Sequence, residues 1–381
     1  MPEAERRLPY QPALDGVRAL SILAVLLFHA CALAGMPRSF RGGFLGVTVF
    51  FVVSGYLITS LLLREANRTS RVDVLAFWAR RLRRLAPAAL AVVLFAIVIT
   101  PTSWSGWPGF RAADAFAGIW SAMNWYLIAL GSTQVIRGLG PLSPYWSLAI
   151  EEQFYVLLAL AMTLAVRMRA PARALGIGFA AVWLVSLGVG TMSDASVIAL
   201  EFSLVHRAGE LATGGLLAVA LLARPTLPAE MAPALRWAGP GCLAAIMILF
   251  LTASYDPPWL LHGGFLVVAA ASAVVLVAAQ TPGLLRTALS NRLLVWVGTL
   301  SYSLYLVHWP VGLLLNANTS LHRWGSVAVQ IVASFAVAIA LHHLIEQPLR
   351  YRWSRPSATT LWVWAAASVA TSLLAVVVLA W

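Results

Sequence analysis

The stretch LDGVRALSILAVLLFHACALAG, residues 14–35, is apolar almost throughout, yet it holds an arginine, Arg18, and a histidine, His29. An apolar run of about 20 residues predicts a membrane-spanning α-helix. Each residue of an α-helix is rotated by about 100° from the one before it, so a separation of eleven residues is within roughly 20° of a whole number of turns. Arg18 and His29 therefore lie on one face of the helix, about 16 Å apart along its axis. Ionisable groups at membrane depth are costly, and the pair therefore predicts a functional site. The alternative is an interfacial arginine and a histidine that is hydrogen-bonded in the helix bundle.

Similar apolar runs recur along the whole chain. Of its 381 residues, 61% are hydrophobic and 10% are charged, whereas a soluble domain has about 25% charged residues. Barrel strands would be shorter and would alternate in polarity. The sequence therefore predicts an all-α fold, a polytopic transmembrane helical bundle. Its eleven predicted spans are 13–34, 43–63, 86–105, 146–166, 172–190, 203–222, 236–254, 262–279, 293–315, 326–346 and 360–381.

The segment 112–131 is ambiguous, and the distribution of arginines decides its interpretation. The linker 64–85 holds seven arginines, and the positive-inside rule places it in the cytoplasm together with the N-terminus. If 112–131 does not cross the membrane, the later arginine-containing turns also lie inside, and the outer turns 191–202 and 255–261 contain no arginine. We therefore predict a re-entrant or interfacial helix within 106–145.

Composition and motifs exclude several other classes. The net charge of +12 could indicate nucleic-acid binding, but the arginines cluster between apolar segments, so we expect no nucleic-acid partner. Cys31 and Cys242 both fall in apolar segments and do not indicate a disulfide framework. The chain contains no HExxH, P-loop or GxGxxG motif. We expect no metal site.

The segment FWARRLRRLAP, residues 77–87, holds four arginines just before the third predicted span. Arg81 and Arg84 share one helix face, as do Arg80 and Arg83. These arginines can be a positive-inside anchor and no more. The alternative is a phosphate clamp on the cytoplasmic side, since paired guanidinium groups match phosphate oxygens.

The segment PYWSLAIEEQFY, residues 144–155, opens the next span from the outer side. The adjacent carboxylates Glu151 and Glu152, followed by Gln153, are costly at a membrane boundary and are hard to explain as packing. The two carboxylates point about 100° apart, so at most one of them faces His29 directly. Anchoring at the membrane surface is the alternative interpretation.

Three further polar motifs lie in predicted spans. Arg207 and Glu210 are three residues apart, and a structural intramembrane salt bridge is the favoured interpretation. Tyr305 and His308 have the same spacing, although packing against the proline that follows explains much of that motif. Glu346 closes a span at the cytoplasmic face, where it marks either a helix end or a site.

Taken in this order, the motifs resemble those of the acyltransferase-3 family of bacterial integral-membrane O-acyltransferases, over about residues 9–352. Each motif alone is weak, whereas seven in sequence are strong. The matching positions are Arg18 and His29 (R-x10-H), Phe50, Phe51, Ser54 and Gly55 (FF-x-x-SG), Arg81 and Arg84 (R-x-x-R), Trp146 to Tyr155 (WSL-x-x-EEQFY), Arg207 and Glu210 (R-x-x-E), Tyr302, Tyr305 and His308 (Y-x-x-YL-x-H), and Glu346 and Pro348 (E-x-P). This chain departs at Thr48, where many members have an acid.

The resemblance implies transfer of an acyl group, most often acetyl, from cytoplasmic acyl-CoA to a hydroxyl of a carbohydrate or natural product. It implies a multi-pass protein of the bacterial plasma (inner) membrane. It also implies the stand-alone type, with a membrane acyltransferase domain over 1–358, an extra transmembrane helix over 359–381 and no fused hydrolase-like domain. The acceptor stays open among surface polysaccharide, peptidoglycan, a glycolipid and a macrolide-type antibiotic, and so does the length of the acyl chain.

The resemblance also implies roles for the motif residues. His29 deprotonates the acceptor hydroxyl or carries the acyl group itself. Arg81 and Arg84 hold the phosphates of the donor, and Arg18 neutralises charge along the donor path. Glu151 or Glu152 binds acceptor hydroxyls or tunes His29. The remaining candidates are Trp146, Ser147, Gln153, Tyr302 and His308 as acceptor-binding or pore-lining residues, and Arg207 with Glu210 as a structural polar pair.

A transporter or flippase for a lipid-linked sugar is the alternative function. Buried polar groups in a bundle of many spans suit such a protein equally well. The sequence shows no inverted repeat, and its polar residues are concentrated in several distinct motifs. A receptor-like or structural membrane protein is the third possibility. Covalent transfer of a labelled acetyl group from acetyl-CoA to an acceptor distinguishes an enzyme from a transporter and from a receptor-like or structural protein.

Overall fold

A computed structural model of the protein describes residues 10–102, 107, 110–137, 140–193, 195–223, 231–254, 259–351 and 356–379. Within these ranges the secondary structure consists of helices, with no β-strand. Helices are favoured in lipid because each helix satisfies its own backbone hydrogen bonds, which lipid cannot do. The predicted all-α fold is confirmed.

The described ranges contain sixteen α-helices, numbered here in chain order. They are α1 (Pro12–Leu33), α2 (Gly46–Thr69), α3 (Val74–Ile99), α4 (Ala112–Ile119), α5 (Met123–Arg137), α6 (Tyr145–Arg167), α7 (Pro171–Met192), α8 (Val197–Phe202), α9 (Leu204–Ala223), α10 (Met231–Thr252), α11 (Phe265–Gln280), α12 (Leu284–Leu289), α13 (Arg292–Asn318), α14 (Arg323–Leu341), α15 (Gln347–Tyr351) and α16 (Ser357–Leu379). A 3₁₀ turn, Gly43–Leu45, precedes α2. Two π-helical turns, Leu260–Gly264 and His342–Glu346, precede α11 and follow α14.

Every predicted span overlaps one of the long helices, although residues 103–105 and 380–381 of the predicted spans lie outside the described residues. In the described part of the chain, nine helices are long and apolar enough to cross a membrane, by length and composition. The other two long helices, α9 and α13, have 20 and 27 residues and carry the arginine–glutamate and tyrosine–histidine motifs. The polytopic helical fold is therefore confirmed, and the chain is a multi-pass membrane protein.

Two short helices occupy the region 106–145, in which we predicted one re-entrant or interfacial helix. With eight and 15 residues, α4 and α5 are both shorter than the roughly 20 residues that a span needs. Ser121 lies between them in a left-handed conformation, with φ 53°. Gly131 interrupts α5 with φ 72°. The region therefore does not form a single spanning helix, because its backbone changes direction at Ser121 and Gly131. A hydropathy profile does not show such changes.

The chain divides into two compact units. Unit 1 comprises Met1–Val25, Phe40–Val72 and Ile150–Thr299, and unit 2 comprises Leu26–Ser39, Asp73–Ala149 and Leu300–Trp381. Helices α1, α6 and α13 each contribute one part to unit 1 and another to unit 2. In unit 2, α16 packs against α3 and α4. The predicted boundary between residues 358 and 359 stays a prediction.

In unit 1, α2 and α9 pack at a distance that only glycine permits. A Cβ atom at Gly55 would lie 2.0 Å from the carbonyl oxygen of Leu211, and one at Gly214 would lie 2.1 Å from that of Val52. Small residues let helices approach closely in membrane proteins. The glycine of the FF-x-x-SG motif therefore brings α2 against the helix that carries Arg207 and Glu210.

In unit 2, α3 begins well before the predicted span 86–105. Its N-cap is Asp73, whose carboxylate accepts the backbone N–H of Ala76 at 2.9 Å. The cap satisfies one of the unpaired N–H groups at the helix start. The four arginines of residues 77–87 therefore lie on a continuous helix rather than in a linker. The helix fixes the positions of their backbone atoms relative to one another.

Candidate functional site

His29 and His308 form a hydrogen-bonded pair of imidazoles in unit 2. Nδ1 of His29 lies 3.1 Å from Nε2 of His308, and the ring centroids are 5.0 Å apart. The indole of Trp309 also lies against His29, with ring centroids 5.0 Å apart. His308 is only 3% exposed, whereas His29 is half-buried. The first and the last histidine motifs of the sequence therefore meet, and one ring of the pair is more accessible than the other.

Backbone carbonyls of α13 hold the buried ring of this pair. Nδ1 of His308 lies 2.8 Å from the carbonyl oxygen of Tyr305 and 3.2 Å from that of Leu304. A carbonyl oxygen can only accept a hydrogen bond. The contacts therefore fix both the position of the ring and the location of its proton.

Ser147 lies next to the same part of α13. Its hydroxyl is 2.5 Å from the phenol oxygen of Tyr305, and that phenol also donates to the carbonyl of Pro144 at 2.8 Å. The indole N–H of Trp309 donates to the carbonyl of Gly140 at 3.0 Å. Three hydrogen bonds thus tie α13, within one turn of His308, to the start of α6 and the segment before it.

A second polar cluster of unit 2 surrounds Glu346 in the π-helical turn. One carboxylate oxygen, Oε2, accepts from the hydroxyl of Ser303 at 2.8 Å and from Nδ1 of His342 at 2.9 Å. Arg84 interacts electrostatically with the same carboxylate, and Gln347 lies 2.9 Å from the other nitrogen of His342. Glu346 of the E-x-P motif is therefore close enough to Arg84 of the R-x-x-R motif for their charges to interact.

Sequence reasoning missed Ser303 and His342 in this cluster. His342 and Glu346 are four residues apart, a spacing that brings side chains together on a helix. π-helical turns occur frequently at functional sites, but a π turn is not visible as a residue pattern.

The arginines of α3 differ in their surroundings. Arg80 is exposed, whereas Arg81, Arg83 and Arg84 are all half-buried. The Nε atoms of Arg81 and Arg84 are fully buried. Tyr302 reaches the same helix, since its phenol donates to the carbonyl of Leu85 at 2.7 Å. The predicted R-x-x-R pair is thus partly enclosed, as is Arg83.

In unit 1, the carboxylate of Glu151 accepts two hydroxyl hydrogen bonds. Oε2 lies 2.9 Å from the hydroxyl of Ser54 and 2.8 Å from the phenol of Tyr155, and these two hydroxyl oxygens are also in contact with each other. The FF-x-x-SG and EEQFY motifs therefore meet at one carboxylate. The neighbouring Glu152 and Gln153 are half-buried on the same helix.

Arg18 forms an ion pair within its own helix. Its Nη1 atom lies 2.9 Å from Oδ1 of Asp15, one turn earlier in α1, and the two side chains are 16% and 13% exposed. The guanidinium charge of Arg18 is therefore partly compensated inside unit 1. A role for Arg18 along the donor path stays a prediction.

Arg207 is completely buried among two carboxylates in unit 1. Nε lies 2.6 Å from Glu210, and Nη1 lies 2.7 Å from Glu201. The guanidinium also lies over the ring of Phe265, 3.9 Å from its centroid. Its Nη2 is 3.4 Å from the hydroxyl of Thr48. The structure thus brings the predicted pair together and adds Glu201 from α8, a carboxylate that sequence reasoning missed.

The comparisons with known proteins agree with the motifs. A family model described as "Acyltransferase domain" matches residues 11–381. O-acetyltransferase OatA of Staphylococcus aureus is 33% identical over 356 residues, which cover 90% of this chain and 57% of the relative. Peptidoglycan O-acetyltransferase OatA of Listeria monocytogenes is 31% identical over 362 residues, which cover 90% of this chain and 56% of the relative. The chain thus spans little more than half the length of these curated relatives. No solved structure matches it significantly.

Proposed function

Because this chain belongs to the acyltransferase-3 family, we propose that it transfers an acetyl group from cytoplasmic acetyl-CoA to a hydroxyl of a carbohydrate across the plasma membrane. Two relatives are named O-acetyltransferases, and the name of one of them specifies peptidoglycan. Peptidoglycan is therefore the first acceptor to test. This assignment of donor and acceptor is our proposal for the present chain.

The observation that carries the proposal is the half-buried imidazole of His29, hydrogen-bonded to the buried imidazole of His308. Histidine is the usual general base near neutral pH. In the proposed reaction, a ring nitrogen of His29 takes the proton of the acceptor hydroxyl while the oxygen attacks the thioester carbonyl. The carbon–sulfur bond then breaks, and the proton passes from His29 to the leaving thiolate of CoA.

The arginines of α3 support the donor side of this proposal. CoA carries a pyrophosphate and a 3′-phosphate, and guanidinium groups bind phosphate oxygens with paired hydrogen bonds. Arg81 and Arg84 are half-buried in α3, with buried Nε atoms, and the carboxylate of Glu346 interacts with Arg84. Arg18 neutralises charge along the donor path in the same proposal.

The carboxylate of Glu151 supports the acceptor side. It is held by the hydroxyls of Ser54 and Tyr155, and carboxylates accept hydrogen bonds from sugar hydroxyls. In this proposal Glu151 or Glu152 binds the acceptor hydroxyls. Trp146, Ser147, Gln153 and Tyr302 complete the acceptor-binding or pore-lining set.

A radiolabel-transfer assay tests this function. Purified protein in detergent is incubated with acetyl-CoA that is labelled in the acetyl group and with muramyl-peptide fragments of peptidoglycan. We expect the label to appear on the glycan. The variant His29→Gln should lower the rate by about 10² to 10⁴-fold, since positioned general-base catalysis contributes that much.

The matched control is His322→Gln, because His322 is exposed at the start of α14. This variant should transfer label at the wild-type rate. Both variants should unfold at the wild-type temperature. Full turnover by the His29→Gln variant would remove His29 from the mechanism. Movement of sugar across vesicles without covalent labelling would favour the transporter instead.

A further inference from the structure

The carbonyl contacts of His308 determine which of its nitrogens carries a proton. Nδ1 faces the carbonyl oxygens of Tyr305 and Leu304 at 2.8 and 3.2 Å. Since these oxygens can only accept, Nδ1 must be the donor. The neutral imidazole has a single N–H group. Nε2 of His308 is therefore left as a hydrogen-bond acceptor.

This acceptor in turn determines the protonation of His29. Nε2 of His308 lies 3.1 Å from Nδ1 of His29. With a lone pair on the His308 side of this contact, Nδ1 of His29 must supply the hydrogen. The hydrogen bond made by one ring nitrogen sets the state of the other. The single proton of neutral His29 is therefore on Nδ1, and the lone pair is on Nε2.

We propose that His308 is a positioning residue that keeps His29 in the Nδ1–H form, so that Nε2 of His29 is the nitrogen that takes the proton of the acceptor hydroxyl. This inference rests on the proposed function, in which His29 is the general base. The rings of Phe28 and Trp309 lie 4.9 and 5.0 Å from that of His29, centroid to centroid. They restrict rotation of the ring, while His308 sets its tautomer.

The same contact stabilises His29 during the reaction. When Nε2 of His29 takes the proton of the hydroxyl, the ring becomes an imidazolium whose Nδ1–H still donates to Nε2 of His308. A hydrogen bond with a charged donor is stronger than the neutral one. His308 keeps its own proton on Nδ1 throughout. As the carbon–sulfur bond breaks, the proton on Nε2 of His29 passes to the thiolate, which restores the starting form.

A neutral orienting group suits the burial of this position. In the serine-protease triad an aspartate fixes the histidine tautomer, and changing it to asparagine lowers kcat by about 10⁴. A carboxylate needs compensation when it is buried. His308 is 3% exposed, and its lone pair does the orienting without a buried negative charge.

A matched pair of substitutions tests the inference. Gln at position 308 offers a carbonyl oxygen near the former Nε2, whereas Met has a similar length and offers only a weak acceptor. We expect His308→Met to lower kcat for acetyl transfer by about 10²-fold or more, as a wrong tautomer does. The KM for acetyl-CoA should not change, and His308→Gln should recover most of the lost rate. Equal rates for the wild type and the Met variant would overturn the proposal.

Nitrogen NMR tests the tautomer without any activity. In ¹⁵N-histidine-labelled protein, the chemical shifts distinguish a protonated nitrogen from one with a lone pair, and the His29→Gln variant identifies the signals of His29. At a pH where the ring is neutral, we expect the proton on Nδ1 in the wild type and in His308→Gln. His308→Met should show a mixture of both forms.

If the NMR spectrum of the wild-type protein places the proton on Nε2 of His29, the inference is overturned. This result does not depend on whether the variants fold. If the wild-type protein has the expected tautomer but transfers no acetyl group, the contact between His29 and His308 stands and the proposed function is refuted. The two failures are therefore distinguishable.

Discussion

At the residue scale, the proposed phosphate clamp involves only two of the four arginines near the start of α3. Arg80 is exposed, and Nε of Arg83 donates to the carbonyl of Ala79 in its own helix at 3.2 Å. Arg81 and Arg84 have buried Nε atoms, and Arg84 interacts with Glu346. A signal for membrane topology requires only that the arginines are positively charged. A phosphate clamp requires in addition that the arginines lie on one face of the helix.

A pair of double variants separates these roles. Arg81→Gln with Arg84→Gln should weaken acetyl-CoA binding by about tenfold or more for each arginine, because a charged hydrogen bond contributes roughly 1.5–3 kcal/mol. The affinity is measured by isothermal titration calorimetry at low and high salt. Screening should weaken wild-type binding at high salt.

The control for this experiment is the double variant Arg80→Gln with Arg83→Gln. It removes the same charge from the same helix, and we expect it to bind acetyl-CoA like the wild type. Equal weakening by both double variants would show that only the total charge matters. Unchanged affinity of the Arg81 and Arg84 variant would leave these arginines as topology signals alone.

At the element scale, the packing of α2 on α9 depends on glycine. At Gly55 a Cβ atom would lie 2.0 Å from a backbone carbonyl oxygen of α9. A backbone atom cannot move aside as a flexible side chain can, so the two helices would have to separate. The same helices carry Ser54, which donates to Glu151, and Arg207.

We expect Gly55→Ala to destabilise the protein by about 1–3 kcal/mol, the usual cost of overpacking. Thermal unfolding in detergent measures this change. The control is Gly178→Ala, since Gly178 is exposed on α7 and a Cβ atom there would have no neighbour within 4 Å. Ala is up to about 1 kcal/mol better than Gly in a helix, so the control should be neutral or stabilising. Equal melting temperatures for the two variants would contradict the close packing.

At the scale of the whole molecule, the orientation in the membrane decides which side supplies the donor. The segment 64–85, which joins the end of α2 to the first turns of α3, is rich in arginine and is therefore expected in the cytoplasm. With this orientation, Arg81 and Arg84 lie on the side where acetyl-CoA is made. The turn after α13 then lies outside.

Cysteine labelling tests this orientation. Cys31 and Cys242 are first replaced by alanine, and a single cysteine is then introduced by Asn67→Cys or Asn318→Cys. Both asparagines are exposed near the C-terminal end of a helix. A membrane-impermeant maleimide added to intact cells should label the cysteine at 318. It should label the one at 67 only after the membrane is permeabilised. The reverse pattern would refute the cytoplasmic N-terminus and the proposed side of the donor.

The positions of the spans were predictable because the hydrocarbon core requires about 20 apolar residues wherever a helix crosses it. One contact within a helix was also predictable. Arg207 and Glu210 meet because residues three apart lie on one face, as the spacing in the sequence indicated. The interruptions of the helical backbone at Ser121 and Gly131 were not predictable, because hydropathy contains no information about backbone dihedral angles.

The contacts between helices followed from packing alone. His29 and His308 are 279 positions apart, and Ser54 and Glu151 are 97 apart. Periodicity places a residue on a face of its own helix, but it does not say which other helix covers that face. Residue order therefore specified the helices, their polar positions and the family motifs. The pairing of imidazoles, and with it the nitrogen of His29 that carries the proton, was decided only by the rotation and packing of α1 and α13 in unit 2.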